Sequence, residues 1–158
     1  MKYPVVIVLM VILFLLVMPL NFSFSEIPVE SSTLQSEIES IFKTRADIWN
    51  DFILGGYETF ELLEKDLRCN TVEPLITSDL SIFNEINNNP TSYELIQGVS
   101  VKSFEVKHIN KQHAIGNVEI AWTMQDLQST YVENIEYVVN LTKMNERWML
   151  SDYTTINN

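Results

Sequence analysis

The sequence is poor in the residues that most chemistries need. It has one cysteine, two histidines and four glycines in 158 residues. A single cysteine, Cys69, makes an intrachain disulfide impossible. Two histidines and one thiol leave little for a transition-metal centre. With so few glycines there is no Walker-type phosphate loop. No serine elbow, HExxH helix or EF-hand loop occurs either. Basic residues are also scarce, ten against 21 acidic ones, for a net charge of −11. Nucleic-acid binding rests on basic neutralisation of phosphates, so that class is excluded. The same net charge predicts avoidance of anionic lipid surfaces. No cofactor motif is present.

One feature is abundant instead. Tyr3 to Leu20 is an almost unbroken apolar run behind Met1-Lys2. Pro19 breaks the run near its end, and Ser23 and Ser25 supply small side chains where a signal peptidase needs them. Residues 1–25 therefore read as a signal peptide. An uncleaved membrane anchor is the alternative, since the run lies at the short edge of spanning length. No lipobox-like cysteine follows. Export without disulfides fits a bacterial surface or cell-wall setting. The expected location is secreted or extracytoplasmic, with membrane contact only through residues 1–25 if they stay on.

Residues 26–158 are the size of one domain. A helix is predicted from Ser32, where Ser32-x-x-Gln35 has capping-box form. Leu34, Ile38, Ile41, Phe42, Trp49 and Phe52 recur at helical spacing, and Gly55-Gly56 ends the run. A second helix is predicted over about Thr59–Arg68, burying Phe60, Leu63 and Leu67. Glu61 with Lys65 and Glu64 with Arg68 give it favourable i,i+4 pairs. Thr71 to Tyr93 is less regular, with a short helix around Leu80, Phe83 and Ile86 between Pro74 and Pro90. Cys69 reads as a small buried hydrophobe at a helix end.

After Gly98 the period changes to two. Val99–Ile109 is β-rich. Ala114, Gly116, Val118, Ile120, Trp122 and Met124 share one face, and Tyr131, Ile135, Tyr137, Val139 and Leu141 repeat the pattern. Trp148, Leu150 and Ile156 belong to a last strand. The short connections at Asn110–Gln112, Asp126–Gln128 and Met144-Asn145 imply hairpins. The predicted architecture is α+β: N-terminal helices packed on a curved antiparallel sheet, one domain after the N-terminal segment.

The long helix Thr33–Phe52, the stretch Glu73-Pro74-Leu75-Ile76-Thr77-Ser78-Asp79-Leu80 and the final pair Tyr137–Lys143 and Arg147–Ser151 resemble the nuclear transport factor 2-like superfamily, whose fold is a cystatin-like α+β cone. In the last strand Trp148 is followed two residues later by Leu150, as in that family's closing hairpin. The resemblance implies a cone whose mouth often holds a pocket. Some members are isomerases, cyclases or dehydratases that use Asp, His and Tyr. Others bind ligands or proteins, including exported components of bacterial secretion machines. No catalytic residue of the enzyme members carries over to a matching position here.

Candidate sites follow from residue type. Trp49, Tyr57, Tyr93 and Tyr137 are candidates to line a pocket for an apolar ligand. The competing role for such aromatics is core packing. Asp51 and Tyr57 are the candidate acid–base pair of a small hydrophobic-substrate isomerase or cyclase of the ketosteroid-isomerase type. Asp47 lies one turn from Asp51, with Lys43 placed to pair with it. His108 and His113 would face each other if Asn110-Lys111 were a two-residue loop, and could then share a metal or respond to pH. No third ligand is evident, and exposed hairpin-end histidines are the plainer reading. The other sheet face, with Asn117, Glu119, Ala121, Thr123, Val132, Asn134 and Val138, is mixed, as a homodimer surface or a solvated face would be. The function expected is an exported, non-catalytic binding or assembly domain at the cell envelope. Its partner would be a small apolar ligand or a protein. The isomerase is the alternative.

Overall fold

A computed structural model of the chain describes residues 28–89 and 94–156. The N-terminal apolar run and Tyr93 lie outside the described residues. Three helices precede four strands: α1 (Pro28–Ile53), α2 (Phe60–Leu67), α3 (Leu75–Asn88), β1 (Leu95–Ile109), β2 (His113–Gln125), β3 (Thr130–Met144) and β4 (Arg147–Thr155). The sheet is antiparallel in the order β1-β2-β3-β4. Among the described residues no helix is long and apolar enough to cross a membrane.

α1 begins a turn before the capping box, with Pro28 in its first turn. Proline suits that position because its missing N–H has no partner to lose there. Ser32 is thus inside the helix, where its carbonyl accepts from the Ser36 hydroxyl. The far end follows the prediction. Gly56 N–H reaches the Asp51 carbonyl and Gly55 N–H the Phe52 carbonyl, with Gly55 at φ +77°. Those are the two bonds of a Schellman motif.

α3 is longer than its sequence suggested. Its 14 residues start directly after Pro74 and bury Leu75, Ile76, Asp79 and Phe83. Thr77, Ser78 and Asp79 dilute the apolar period, so the first half reads as irregular. Asp79 nevertheless sits on the buried stripe.

The sheet's inner face meets α1 in the main core. Leu34, Ile38, Ile41, Phe42 and Ala46 pack on Val99, Val101, Ala114, Val118, Ile120, Tyr137, Val139, Leu141 and Leu150. Register shifts in β1 and near Asn140 bend the sheet around the helix, since a bulge kinks and twists its strand. A second cluster, Ile48, Leu63, Leu67 and Phe83, joins the three helices.

α1 also closes the edge of β1. The Asn50 side chain accepts from Ile96 N–H at 2.8 Å and donates to the Ile96 carbonyl at 2.7 Å. The Glu39 carboxylate accepts from Val101 N–H at 3.0 Å. Helix side chains thereby replace a neighbouring strand, which blunts an edge open to aggregation. Lys43 and the Val101 amide hold the Glu39 carboxyl below its usual range. At the opposite edge Asn70 and Val72 bond the two sides of Leu150, forming a short parallel bridge.

Gly116 is the buried glycine on which β1 and β2 close. A Cβ there would lie 2.4 Å from Phe104 Cε2 and 2.7 Å from the Glu105 carbonyl oxygen. The carbonyl belongs to the ladder and cannot swing away. Gly116→Ala should therefore cost about 1–3 kcal/mol or more through overpacking. Gly98→Ala, whose Cβ would meet Thr123 at 3.4 Å, is the tolerant control. Urea unfolding of the two variants measures the contrast.

Two of the three hairpin loops are held by the same device, and the third is not. Asn110 Oδ1 accepts from the amides of Gln112 and His113. Asp126 Oδ1 accepts likewise from Gln128 and Ser129, and those amides hold the Asp126 carboxyl below its usual range. The last hairpin turns on Asn145 and Glu146, at φ 49° and 64°. Two left-handed residues make a type I′ turn, which favours Asn-Gly. Glu146 is the strained partner, and its ion pair with Lys143 is exposed and so worth little. Glu146→Gly should raise stability by about 0.5–1 kcal/mol. An upward shift in the thermal midpoint is the expected readout; a fall would mean that the turn is not under strain.

Candidate functional site

α1 carries a charge inside its apolar stripe. Arg45 stands four residues from Ile41 and Trp49 and three from Phe42, so its side chain enters the molecule with theirs. There it forms a forked ion pair with Asp79 of α3, Nη1 to Oδ2 at 2.6 Å and Nη2 to Oδ1 at 3.0 Å. Side-chain exposures of 12% and 6% make this a desolvated pair. Arg45 Nη1 also donates to the Thr71 hydroxyl at 3.2 Å, which donates to Asn70 Oδ1 at 3.0 Å. Asn70 returns to α1 through the Ile41 carbonyl. On the other side Arg45 Nη2 lies 3.5 Å from the Tyr153 hydroxyl, and the guanidinium sits 5.3 Å from the Tyr153 ring centroid. Burial alone would pull the guanidinium down. The hydrogen bonds and charge of Asp79, with Tyr153, hold it above its ordinary value.

This network borders a cavity of about 140 Å³ between α1, α3 and the inner sheet face. Phe42, Trp49, Phe83, Trp122 and Tyr153 contribute rings, Ile82 and Ile96 aliphatic walls, and Arg45 and Asp79 the charges. Phe42 meets Trp122 edge-on at 5.9 Å and Tyr153 edge-on at 5.7 Å. Tyr137 stacks behind Phe42 at 6.0 Å. Burial pushes the Tyr137 phenol up to about 12, with the Trp122 indole N–H pulling the other way. That N–H influences the phenol without bonding it in ordinary geometry: Trp122 Nε1 is buried with no hydrogen-bond partner.

The sequence-derived candidates are only partly brought together. Trp49 lines the cavity, its indole N–H held by the Glu94 carbonyl at 2.9 Å. Tyr137 is buried in the core behind the cavity. Tyr57 is elsewhere, in the helix cluster, with its hydroxyl donating to Asp66 at 3.1 Å. Burial, followed by Asp66, holds its phenol above the ordinary value. Asp51 is exposed at the end of α1. The Asp51 and Tyr57 candidates therefore share no enclosed site. Asp47 is exposed as well, and Lys43 pairs backward with Glu39 at 2.6 Å instead.

The histidines do not oppose each other. The ladder sets Ile109 opposite Ala114, so His108 pairs with Ile115, while on the other strand edge His113 pairs with Thr142. Both side chains are exposed, and among the described residues no group of three metal-ligating side chains gathers. Cys69 is exposed, not buried, and its thiol approaches the Lys65 carbonyl at 3.6 Å. Just past α2 the chain turns inward with Asn70 and Thr71, leaving Cys69 on an open groove of about 720 Å³ beside β4.

Arg45, Asp79, Thr71 and Tyr153 were missed by sequence reasoning. Their signal was a charge on each of two apolar helical stripes, because an isolated buried charge demands a partner.

No family model matches the chain. No curated protein matches it either. Among solved structures, it is similar to the intermembrane space region of the chloroplast protein ARC6, at 12% identity and a TM-score of 0.49, over 78% of this chain and 97% of that one.

Proposed function

We propose that this chain is an exported, non-catalytic binding domain at the cell envelope, whose binding end is the aromatic cavity. The cavity itself carries the reading. Its walls are apolar and its two charges neutralise each other. Its volume suits one ring or one apolar side chain, well short of the ~300–1,000 Å³ of drug-sized sites. The exposed Asp51 supports no buried acid–base role, so the isomerase reading has no observation in its favour. Export rests on the N-terminal apolar run, and membership of the nuclear transport factor 2-like superfamily on the motifs and the helix-then-sheet order. The outer sheet face is the surface for a homodimer or a protein partner.

Two measurements test this. Cells producing the full chain are fractionated, and the protein is expected outside the cytoplasm. Native mass spectrometry of that material should then show a stoichiometric small-molecule adduct. A cytoplasmic protein would defeat the export claim. A ligand-free species that captures an envelope protein would move binding from the cavity to the outer face.

A further inference from the structure

The open groove of about 720 Å³ beside β4 shares no lining residue with the aromatic cavity. Its volume falls within the ~300–1,000 Å³ of small-molecule sites. Its floor is apolar: Val72 and Ile76 come from the end of the α2–α3 connection and the start of α3, Met144 and Met149 from β3 and β4. Methionine is adaptable and suits a flexible apolar occupant.

The rim carries the charge. The chain has three arginines. Arg45 is buried with Asp79, and the other two, Arg68 and Arg147, both line this groove. Arg68 is already engaged, by Glu64 at 2.6 Å and Glu73 at 3.6 Å. Glu73 also accepts from the Thr77 amide and hydroxyl. Arg147 is exposed and makes no ion pair among the described residues. With Arg68 and Glu73 cancelling, Arg147 is the uncompensated charge of the lining. A guanidinium matches a carboxylate, to which it can donate two parallel hydrogen bonds.

Backbone chemistry separates an alkyl chain from a peptide. The amides of Cys69, Thr71, Val72 and Ile76 already donate to the carbonyls of Asp66, Leu67, Leu150 and Val72 in turn. Thr142 with Met149, and Met144 with Arg147, are paired in the β3–β4 ladder. A peptide would find no strand edge there, and its own amides would be desolvated on the apolar floor without partners, which costs free energy. An alkyl carboxylate brings a single polar group, and that group meets Arg147.

We propose that this groove binds a molecule with one unbranched alkyl chain and one carboxylate, the chain on the methionine floor and the carboxylate on Arg147. The site is independent of the aromatic cavity, and neither stands or falls with the other.

Cys69 reports on the groove, because it lines it, is exposed and is the chain's single cysteine. The protein isolated from cells producing the full chain is alkylated with iodoacetamide, a neutral reagent, and the rate is read by intact mass. Decanoate and 1-decanol are the probes, at sub-micellar concentration; they share a chain length, and only the first is charged. Decanoate should slow alkylation at about fivefold lower concentration than decanol, as a well-formed exposed ion pair allows. Arg147→Gln should bring the two probes level, and Arg147→Lys should restore part of the difference. Met144→Asp should weaken both. Arg147 and Met144 are exposed, so these variants leave the core intact. If the two probes protect the wild type equally, the carboxylate claim is overturned. If neither slows alkylation of Cys69, the groove is not the site and the inference fails, even where decanoate binds elsewhere on the chain.

Discussion

Asp79→Ala should remove about 3–5 kcal/mol of stability, because it leaves the Arg45 guanidinium buried without its counter-charge. That is a large part of the ~5–15 kcal/mol available to a domain. Arg45→Met should cost a similar amount for the mirror-image reason, a stranded carboxylate. The double variant Arg45→Met with Asp79→Leu should lose far less than the sum, since neither charge is then buried alone. Thr71 would still have Asn70 as a partner. Chemical denaturation of the four proteins gives the coupling directly. Additive losses would show that the two side chains do not act as a pair. The pair joins α1 to α3 across 34 residues of sequence and ties both to β4 through Tyr153. Its loss should therefore loosen the α3 wall of the cavity first, read as faster amide exchange in Leu75–Asn88 than in the β2–β3 ladder.

The same pair shows what sequence could and could not supply. The strands were legible because alternation is local: Ala114, Gly116, Val118 and Ile120 need only a parity, and their burial follows. The end of α1 was legible because Gly55 and Gly56 carry their own conformational signal. The start of α3 was not, since Asp79 looks like a solvent-facing residue until Arg45 is known to lie opposite. The histidines failed on the position of the turn: the ladder sets His108 opposite Ile115, two residues beyond His113. The cavity failed for a related reason. Trp49, Phe83, Trp122 and Tyr153 come from four elements, and only the sheet's curvature brings them together. Tyr57 looked equivalent to Trp49 in sequence but faces Asp66 beyond the helix end.

Phe42→Ala should be the most damaging core truncation that also bears on binding. Phe42 is 1% exposed and stands between the main core and the cavity. Its ring touches Trp122, Tyr137 and Tyr153 at once, at 5.9, 6.0 and 5.7 Å. Phe→Ala at such a site costs about 3–5 kcal/mol, part from lost transfer and part from the void left behind. Here the void would merge with the existing cavity of about 140 Å³. The surrounding rings are held by Arg45 and by the sheet, so collapse into the space should be limited and the loss should lie at the upper end of that range. Phe42→Leu, which refills much of the volume, should recover most of it. An enlarged, rigid, apolar hole also binds apolar solutes. A saturating single-ring ligand should therefore raise the midpoint of Phe42→Ala more than that of the wild type, because stabilisation by a ligand of the native state grows with its affinity. Equal shifts in both proteins would mean that the hole collapses. A loss below about 1 kcal/mol would mean that Phe42 is not the pillar between core and cavity that its contacts describe.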